Sequence, residues 1–416
     1  MTRARTMVIT VSLAAIAAAG HLLQAQQRPA ASKPVAAAIT QPDPSAPLVP
    51  QFAYDKTFPK PLPNAWKLGQ VAGVHVDARD HIWIIQRPAS LKNSEKEATN
   101  DSNYGIGQDG GGPFAMCCRP APPVIEFDQE GNVVQAWGGP GPGYEWPTPA
   151  PRSPDSGLGS GPFGERGIYV DENNNVWVGA DGPGDAQAIK FTRFGKKLVQ
   201  LGKHGQSKGS NDTANLNGAV AFAVDQKANE VFVADGLRNR RIIVFDAYTG
   251  VYKRHWGAYG NKPDDSVKVE QYKPDPKSPQ FGEIHGMALS KDGLLYVADR
   301  VNNRIQVFKT DGTFVKEGVV APNTLGGAVY DIAFSADPQQ KFAYVADGMN
   351  QKVWILDRQS LKTLGRFGFG GAQGGAFRAA NVIATDSKGN IYVGETWESK
   401  RVQRFLYKGL GPASLR

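Results

Sequence analysis

The feature that most constrains the fold of this chain is a pattern that recurs six times. A typical copy contains a strand ending in Asp or Ser, a turn rich in Gly or Asn, a strand ending in an acidic residue, and a strand ending in Phe. The copies occupy residues 73–85, 167–181, 221–246, 286–312, 331–357 and 382–405. Within each copy apolar and polar residues alternate, which predicts strands with one buried face.

A fourth strand follows several copies. Examples are the segments GNVVQAWGG at 131–139, GKKLVQLGK at 195–203 and GVYKRHWGA at 250–258. Four short strands per copy, repeated six times, predict an all-β six-bladed β-propeller with four-stranded antiparallel blades. The sixth copy ends near Leu406 without a fourth strand, and residues 58–68 are expected to supply it. Joining both ends of the domain in one blade would close the ring.

The N-terminal residues resemble an export signal. Arg3 and Arg5 precede an apolar run at 8–19, and the sequence Leu-Gln-Ala at 23–25 offers a cleavage site. We therefore expect a signal peptide at 1–25, a disordered Ala/Pro-rich tether at 26–50 and the propeller at 51–416. The apolar run is short for a membrane span. The expected location is periplasmic or secreted, without stable membrane insertion after cleavage.

Charge and motifs exclude several classes of function. The formal net charge is +8, yet the basic residues form no dense stripe with interleaved aromatics, so nucleic acid is not expected as a partner. No phosphate-binding loop or nucleophile elbow occurs. The only cysteines, Cys117 and Cys118, are adjacent, and they either bond to each other, pair between chains or remain thiols.

Two long insertions interrupt the repeat, at 88–123 and at 258–281. Loops of this length in a compact domain usually carry function or lack order. Both leave their blades at comparable places, which predicts that they flank one mouth of the central channel.

The repeat resembles the NHL repeat. The pattern V-A-D-x-x-N-x-R-I-x-V-F is found at 297–308, and the same pattern with one additional residue before the Asn is found at 233–245. Among such propellers the chain is most similar to the catalytic propeller of the peptidyl-α-hydroxyglycine α-amidating lyase family and its uncharacterised bacterial relatives. The similarity is carried by residues 69–87, 233–245 and 284–312 and extends from roughly 66 to 408.

The start of each inner strand should lie at one mouth of the channel, because the inner strands of a propeller line its axis. Counting back from the residue that ends each strand gives a ring: Ala72, Arg166, Val220, His285, Tyr330 and Asn381. Arg166 provides a positive anchor for an anionic ligand. Alternatively, Arg166 pairs with a neighbouring acid and His285 caps a loop.

The acidic residues that end the second strands look at first like a catalytic set. They are Asp235, Asp299, Asp347 and Glu395. A residue that returns in most blades usually has a structural role, so these carboxylates are expected to bind amides of neighbouring loops.

The resemblance to the lyase implies a zinc site on this ring. The three zinc-binding histidines of that family fall at Arg166, His285 and Asn381, so His285 is the one candidate metal ligand that remains. The calcium-binding Asp of the family falls at Val382, and its catalytic Tyr falls at Leu237. Zinc or calcium therefore stays open as a cofactor with an incomplete ligand set.

The resemblance also assigns roles to two arginines. Arg87 matches the active-site Arg of the family and Arg300 matches a second channel Arg, which makes both candidate catalytic residues. Together with Arg166 they would suit a carboxylate or phosphate ligand better than a metal.

Three functions are consistent with these residues. The first is an exported propeller that binds a small anionic molecule or peptide at the channel mouth, with Arg87, Arg166, His285, Tyr330 and Asn381 as the contact residues. The second is a divergent metal-dependent lyase or hydrolase of the amidating type. The third is a protein-interaction platform in the cell envelope.

Overall fold

The computed structural model describes residues 47–92, 95, 118–150, 162–268 and 277–413. These residues form six four-stranded antiparallel sheets and one short parallel pair of strands. The inner strand of each sheet contacts the inner strand of the next, and the sixth contacts the first. The prediction of an all-β, six-bladed β-propeller with four-stranded blades is therefore confirmed.

We call the strands of each blade a to d, from the channel outward. Blade 1 consists of Gln70–Val76, Ile82–Arg87, Val124–Phe127 and Val133–Trp137. Blade 2 consists of Glu165–Val170, Val176–Ala180, Gln187–Phe191 and Lys197–Gly202. Blade 3 consists of Ala219–Asp225, Glu230–Asp235, Arg241–Asp246 and Tyr252–Trp256. Blade 4 consists of Ile284–Leu289, Leu294–Asp299, Arg304–Lys309 and Phe314–Val319. Blade 5 consists of Asp331–Phe334, Phe342–Asp347, Lys352–Asp357 and Thr363–Phe367. Blade 6 consists of Ala380–Thr385, Ile391–Glu395, Arg401–Pro412 and Leu48–Asp55. The short parallel pair is Trp66–Lys67 with Arg119–Pro120, and single 3-10 turns occupy Pro88–Ser90 and Ala258–Gly260.

The ring closes in blade 6, but with a different segment from the one predicted. Its outer strand is Leu48–Asp55, which pairs antiparallel with Arg401–Pro412. The expectation that residues 58–68 supply this strand is wrong, because the long final strand reaches back to pair with residues further towards the N-terminus. The strand also begins inside the segment 26–50 that the sequence predicts as a tether. The export signal and the rest of the tether lie outside the described residues.

Apolar side chains of adjacent blades pack against each other and hold the blades together. Trp83 of blade 1 and Val178 of blade 2 lie in one buried cluster, and Tyr344 of blade 5 and Ile391 of blade 6 lie in another. Removing such side chains from water supplies roughly 25 cal/mol per Å² of apolar surface. Packing between blades therefore fixes the channel and the residues around it.

The acidic residues at the ends of the b strands bind local backbone and side chains, as their recurrence predicts. Asp235 accepts hydrogen bonds from the Asn217 amide and from the Arg241 guanidinium. Asp299 accepts the corresponding bonds from Gly282 and Arg304. Each carboxylate therefore ties the loop before strand a to strand c of its own blade.

The two insertions leave their blades at different points but on the same face. The first lies between strands b and c of blade 1, and the second lies between strand d of blade 3 and strand a of blade 4. In an antiparallel blade the b–c loop and the connection to the next blade both lie at the end where strand a begins. Residues 93–94 and 96–117, which make up most of the first insertion, and residues 269–276 of the second lie outside the described residues.

Cys118 is disulfide-bonded, which removes the free-thiol alternative for this residue, while Cys117 lies outside the described residues. No helix within the described part of the chain is long and apolar enough to span a membrane.

Candidate functional site

The candidate site lies at the face of the propeller where the inner strands begin, which we call the channel mouth. Arg166 is near the start of strand a of blade 2. Arg87 ends strand b of blade 1, and Arg300 directly follows strand b of blade 4. Strand b runs antiparallel to strand a, so its last residue returns to the face where strand a started. The topology therefore places all three arginines on one face.

Asp181 joins two of these arginines. Nη2 of Arg87 donates to Oδ2 of Asp181 at 2.6 Å, and Nη1 of Arg166 donates to the same oxygen at 3.2 Å. Nε of Arg87 also donates to the backbone oxygen of Glu165 at 2.9 Å. Asp181 follows strand b of blade 2 and is fully buried. One carboxylate thus serves two buried guanidinium groups.

Arg166 has donors that the protein does not use. Its side chain is buried, yet Nε and Nη2 have no hydrogen-bond partner among the described residues. Burial lowers the pKa of Arg166, the charge of Asp181 raises it, and the neighbouring Arg87 lowers it further. A buried charged donor without a partner costs stability, so these two N–H groups mark a place where a ligand or water would be bound.

Glu165 lies beside this pair. Its Oε1 accepts a hydrogen bond from Nε1 of Trp146 at 3.0 Å, while Oε2 has no partner within the part of the chain that the structure describes. Burial raises the pKa of Glu165 to about 7, against the opposing effects of Trp146 and Arg87. This carboxyl group can therefore gain or lose a proton near neutral pH.

Arg300 lies in blade 4, opposite blade 1 in the ring. Its Nη2 donates to Oε2 of Glu283 at 2.6 Å, and its Nη1 donates to the hydroxyl of Tyr330 at 3.2 Å. Burial acts to lower the pKa of Arg300, but the charges of Glu283 and Tyr330 and the hydrogen bonds to both together exceed it, and the net shift is upward. Arg300 is therefore paired in this structure, and Nε is its one N–H group without a partner among the described residues.

His285, Asp331 and Asn381 lie below the arginines. Nδ1 of His285 is 3.0 Å from the backbone oxygen of Tyr330, and its ring packs against the Tyr330 ring with centroids 4.5 Å apart. Asp331 accepts backbone hydrogen bonds from Ile332 and from Ile383 of blade 6. Burial raises the pKa of Asp331 to about 7, and the charge of Arg166 acts in the opposite direction.

A cavity of about 460 Å³ extends along the channel below this group. His285 and Asp331 line its end at the mouth, and Glu172 and Lys291 line its other end, at the hairpins between strands a and b. The Asn381 amide is buried, and its Nδ2 lacks a partner among the described residues. His285 and Asp331 thus present polar groups to the end of the cavity nearest the mouth.

Four of the six ring positions predicted from the sequence coincide with β-bulges. The strand register skips one residue between Val71 and Gly73, Arg166 and Ile168, Ala219 and Ala221, Ile284 and Gly286, and Ala380 and Val382. The skipped residues are Ala72, Gly167, Val220, His285 and Asn381. A β-bulge redirects the side chain of the extra residue, so the side chains at these bulge positions are turned towards the mouth. In blade 2 the bulge falls at Gly167, one residue after the predicted ring position, and Arg166 itself pairs with strand b beside the bulge.

Sequence reasoning missed the acids that accompany the arginines. Asp181, Glu165, Glu283 and Asp331 were not among the predicted site residues. Asp181 lies one residue beyond the position of Asp235 and Asp299 in the repeat, and like Asp299 it accepts a hydrogen bond from a backbone N–H of the loop before strand a. Its pairing with two arginines appears only when blades 1 and 2 are brought together.

The described residues contain one cluster with metal-ligand spacing, and it lies away from the mouth. Asp77, His81 and Glu126 present ligand atoms within 4.8 Å of one another. Both Arg79 and Arg193 also donate to the buried Glu126 carboxylate. Two guanidinium groups on this carboxylate take the place that a cation would need, so we interpret the cluster as an ion-pair network.

Comparisons with known proteins agree with the fold. The NHL repeat family matches residues 281–308. The chain is 28% identical over 322 residues to the peptidyl-glycine alpha-amidating monooxygenase of Mus musculus, which covers 76% of this chain and 28% of the relative. It is 26% identical over 275 residues to the monooxygenase B of Xenopus laevis, which covers 65% of this chain and 26% of the relative. The chain thus spans little more than a quarter of the length of these relatives. The protein is a six-bladed β-propeller that carries an NHL repeat and is similar to one region of the peptidyl-glycine alpha-amidating monooxygenases.

Proposed function

We propose that the protein binds a small anionic molecule, or the carboxylate of a peptide, at the channel mouth and does so without metal chemistry. The observation that carries this proposal is the pair of unpartnered N–H groups on buried Arg166. A guanidinium group presents its donors as a planar fork, which matches the two oxygens of a carboxylate or phosphate. Arg166 would therefore be the charge anchor.

The charges around the mouth support an anion rather than a cation. Arg87 and Arg166 share the carboxylate of Asp181, and the acid beside them, Glu165, is only partly ionised near neutral pH because burial raises its pKa to about 7. Arg300 is balanced by Glu283. An anionic ligand would supply the missing negative charge in a place where low dielectric strengthens the attraction.

The residues at the mouth do not fit zinc. The positions that match the zinc ligands of the lyase family are Arg166, His285 and Asn381. A guanidinium group cannot bind a metal at neutral pH, and the amide of Asn381 is a poor zinc ligand. No cluster of metal-ligand spacing among the described residues includes His285. Val382 lacks the carboxylate of the calcium-binding Asp of the family, so a calcium ion would lose one charged ligand there.

The binding proposal is tested by calorimetric titration with acetate, pyruvate, N-benzoylglycine and inorganic phosphate. We expect saturable binding of at least one carboxylate, and a loss of at least about tenfold in affinity for Arg166→Met, which corresponds to one charge-assisted bond. Lys196→Met, at an exposed position on blade 2, is the matched control and should bind as the parent does. Equal affinities of Arg166→Met and Lys196→Met would overturn the proposal.

A divergent amidating-type lyase is the second candidate, because 322 residues of the chain are 28% identical to the mouse monooxygenase. In that case Arg87 and Arg300 would contact the substrate. The test is release of glyoxylate from an N-acylated α-hydroxyglycine, with and without added zinc or calcium. We expect no release above that of Arg300→Met. Turnover that requires Arg300 would favour the lyase over the binding protein.

We further propose that the protein is exported to the periplasm or secreted, on the strength of the sequence at 1–25. Cell fractionation of the full chain and of a variant that lacks residues 2–25 tests this point. A stoichiometric envelope protein recovered with the full chain, and lost when the outer faces of the blades rather than the mouth are altered, would favour an interaction platform instead.

A further inference from the structure

Most blade junctions are bridged in the same way at the face opposite the mouth. This is the face where the a–b hairpins and the c–d turns lie, and we call it the hairpin face. At four junctions an arginine of one blade donates to a neighbouring blade. These contacts are Arg193 to Glu126 between blades 1 and 2, Arg254 to the Thr310 oxygen between blades 3 and 4, Arg358 to Asp292 between blades 4 and 5, and Arg404 to the Gln129 oxygen between blades 6 and 1.

The junction between blades 2 and 3 departs from this arrangement. There Lys190 takes the bridging role, and its Nζ donates to the Ala247 oxygen at 2.9 Å. Lysine lacks the broad guanidinium plane of arginine, and a pocket of about 530 Å³ remains between the two blades. Sites that hold small molecules in proteins commonly enclose roughly 300–1,000 Å³. The pocket is therefore large enough for a small ligand.

The lining of this pocket, which we call the junction pocket, is polar but electrically balanced. The Lys190 ammonium lies 3.4 Å from the Asp171 carboxylate, so the two charges compensate each other. Oε1 of Gln226 is buried and has no hydrogen-bond partner among the described residues, and the amide side chains of Asn173 and Asn229 also face the pocket. Charge balance argues against an ionic ligand, and the buried oxygen of Gln226 requires a donor.

An aromatic ring stands at the rim. Tyr248 lies in the c–d turn of blade 3 and is 79% exposed, and Leu198 of blade 2 is 45% exposed on the other side. An exposed aromatic ring beside a polar pocket offers an apolar face together with hydrogen-bonding groups. The ligand that matches both has a flat apolar face and several hydroxyl donors, and carries no charge.

We propose that the junction pocket binds a neutral saccharide. The C–H face of a pyranose ring packs against Tyr248, and its hydroxyl groups donate to Gln226 Oε1 and to the oxygens of the neighbouring amides. The Lys190 ammonium holds the two blades in register at the base of the pocket. This site is separate from the channel mouth and does not depend on the function proposed there.

The test is ligand-observed saturation-transfer NMR followed by calorimetric titration of the full chain. The probes are cellobiose, maltose and the disaccharide of N-acetylglucosamine, with glucuronic acid as an anionic probe and trialanine as a peptide probe. We expect saturable binding of at least one neutral disaccharide. Tyr248→Ala should weaken it about tenfold, and Gln226→Leu should weaken it as well.

Phe194 provides the matched control. It occupies the c–d turn of blade 2 and is 78% exposed, but it does not line the junction pocket. Phe194→Ala should bind the disaccharide as the parent does, and thermal unfolding of all three variants checks that the blades stay intact. Failure of every neutral saccharide to bind, equal effects of Tyr248→Ala and Phe194→Ala, or preferential binding of trialanine or glucuronic acid would each overturn the proposal.

Discussion

Nη2 of Arg87 lies 2.6 Å from Oδ2 of Asp181, and this contact joins the end of strand b in blade 1 to the end of strand b in blade 2. Both side chains are almost completely removed from solvent. An ion pair in such surroundings survives only while both partners are present, because either charge alone would be buried without compensation. The stability of the structure at the channel mouth therefore depends on the Asp181 carboxylate.

Asp181→Asn should destabilise the protein strongly. The variant leaves the guanidinium groups of Arg87 and Arg166 without their shared carboxylate, and breaking a buried pair typically costs about 3–5 kcal/mol. Urea denaturation measures the change in the free energy of unfolding. Glu398→Gln, which removes the exposed partner of Lys92, is the control and should cost about 0–1 kcal/mol. Similar losses in both variants would contradict the role assigned to Asp181.

Arg166→Met should leave the free energy of unfolding unchanged or raise it by about 1 kcal/mol. The substitution removes two unpartnered buried N–H groups, while Asp181 keeps its shorter contact with Arg87. Replacing a poorly compensated buried charge with an apolar side chain is often neutral or stabilising. Thermal and urea unfolding measure the effect.

Arg87→Met is the matched comparison for that prediction. It removes the donor to both Asp181 and the Glu165 backbone oxygen, so it should destabilise. A larger loss of stability in Arg166→Met than in Arg87→Met would show that Arg166 is primarily a structural residue. In that case the unpartnered donors would not indicate a binding site.

The sequence predicted the fold well because the information is local and repeated. Alternation within each strand and turn residues such as those at 290–293 specify a blade, and six copies specify the ring. The closing strand was predicted at 58–68 because Leu48–Asp55 carries no repeat motif. The unusual length of the final strand, Arg401–Pro412, is what allows it to pair with Leu48–Asp55. At the mouth, Arg166 and His285 could be found by counting along a strand. Asp331 could not, because its environment is made by side chains from other blades.

The titration of Glu165 should reduce the free energy of unfolding as the pH is raised from about 4.5 to about 7, whereas His75, whose pKa is lowered to about 4 by burial, acts in the opposite direction. Burial raises the pKa of Glu165 to about 7, whereas in the unfolded chain it titrates near its ordinary value of 4.5. Between these values the folded state binds more protons than the unfolded state, so the free energy of unfolding decreases with rising pH. The contribution of Glu165 is on the order of 3 kcal/mol. Asp331, with its pKa raised to about 7 by burial, acts in the same direction.

Glu165→Gln separates this contribution from the rest. The variant should be relatively more stable than the parent at about pH 8 and should show a flatter dependence between about pH 5 and pH 7. Urea denaturation across this range provides the curves. A slope identical to that of the parent would mean that Glu165 is already ionised in the folded protein at low pH.

Binding of a carboxylate ligand should weaken as the pH rises through about 7. Asp331 faces the channel below Arg166, and its pKa is raised to about 7 by burial. Its ionised form competes with the ligand for the positive charge of Arg166, whereas its protonated form does not. A simple carboxylate stays ionised throughout this range, so the change in affinity reports on the protein. Calorimetric titrations of acetate or pyruvate at about pH 6 and pH 8 measure it.

Asp331→Asn should bind the same carboxylate more tightly at about pH 8 and show a smaller change with pH. The residual dependence should come from Glu165, which titrates in the same range. If the variant kept the full pH dependence of the parent, the titrating group would not be Asp331.

Removal of the closing strand should open the ring. Residues 48–55 cover the outer edge of the final strand, where Phe52 packs against Tyr344 of blade 5 with ring centroids 5.5 Å apart and Asp55 accepts a hydrogen bond from Arg404 at 2.7 Å. A chain that begins at residue 56 loses these contacts and exposes an unpaired strand edge, which favours association between molecules. We expect a lower melting temperature and larger species in size-exclusion chromatography. A chain that begins at residue 47 keeps the whole strand and should behave as the full chain does. Equal melting temperatures and elution volumes for the two truncated chains would show that blade 6 is stable with three strands.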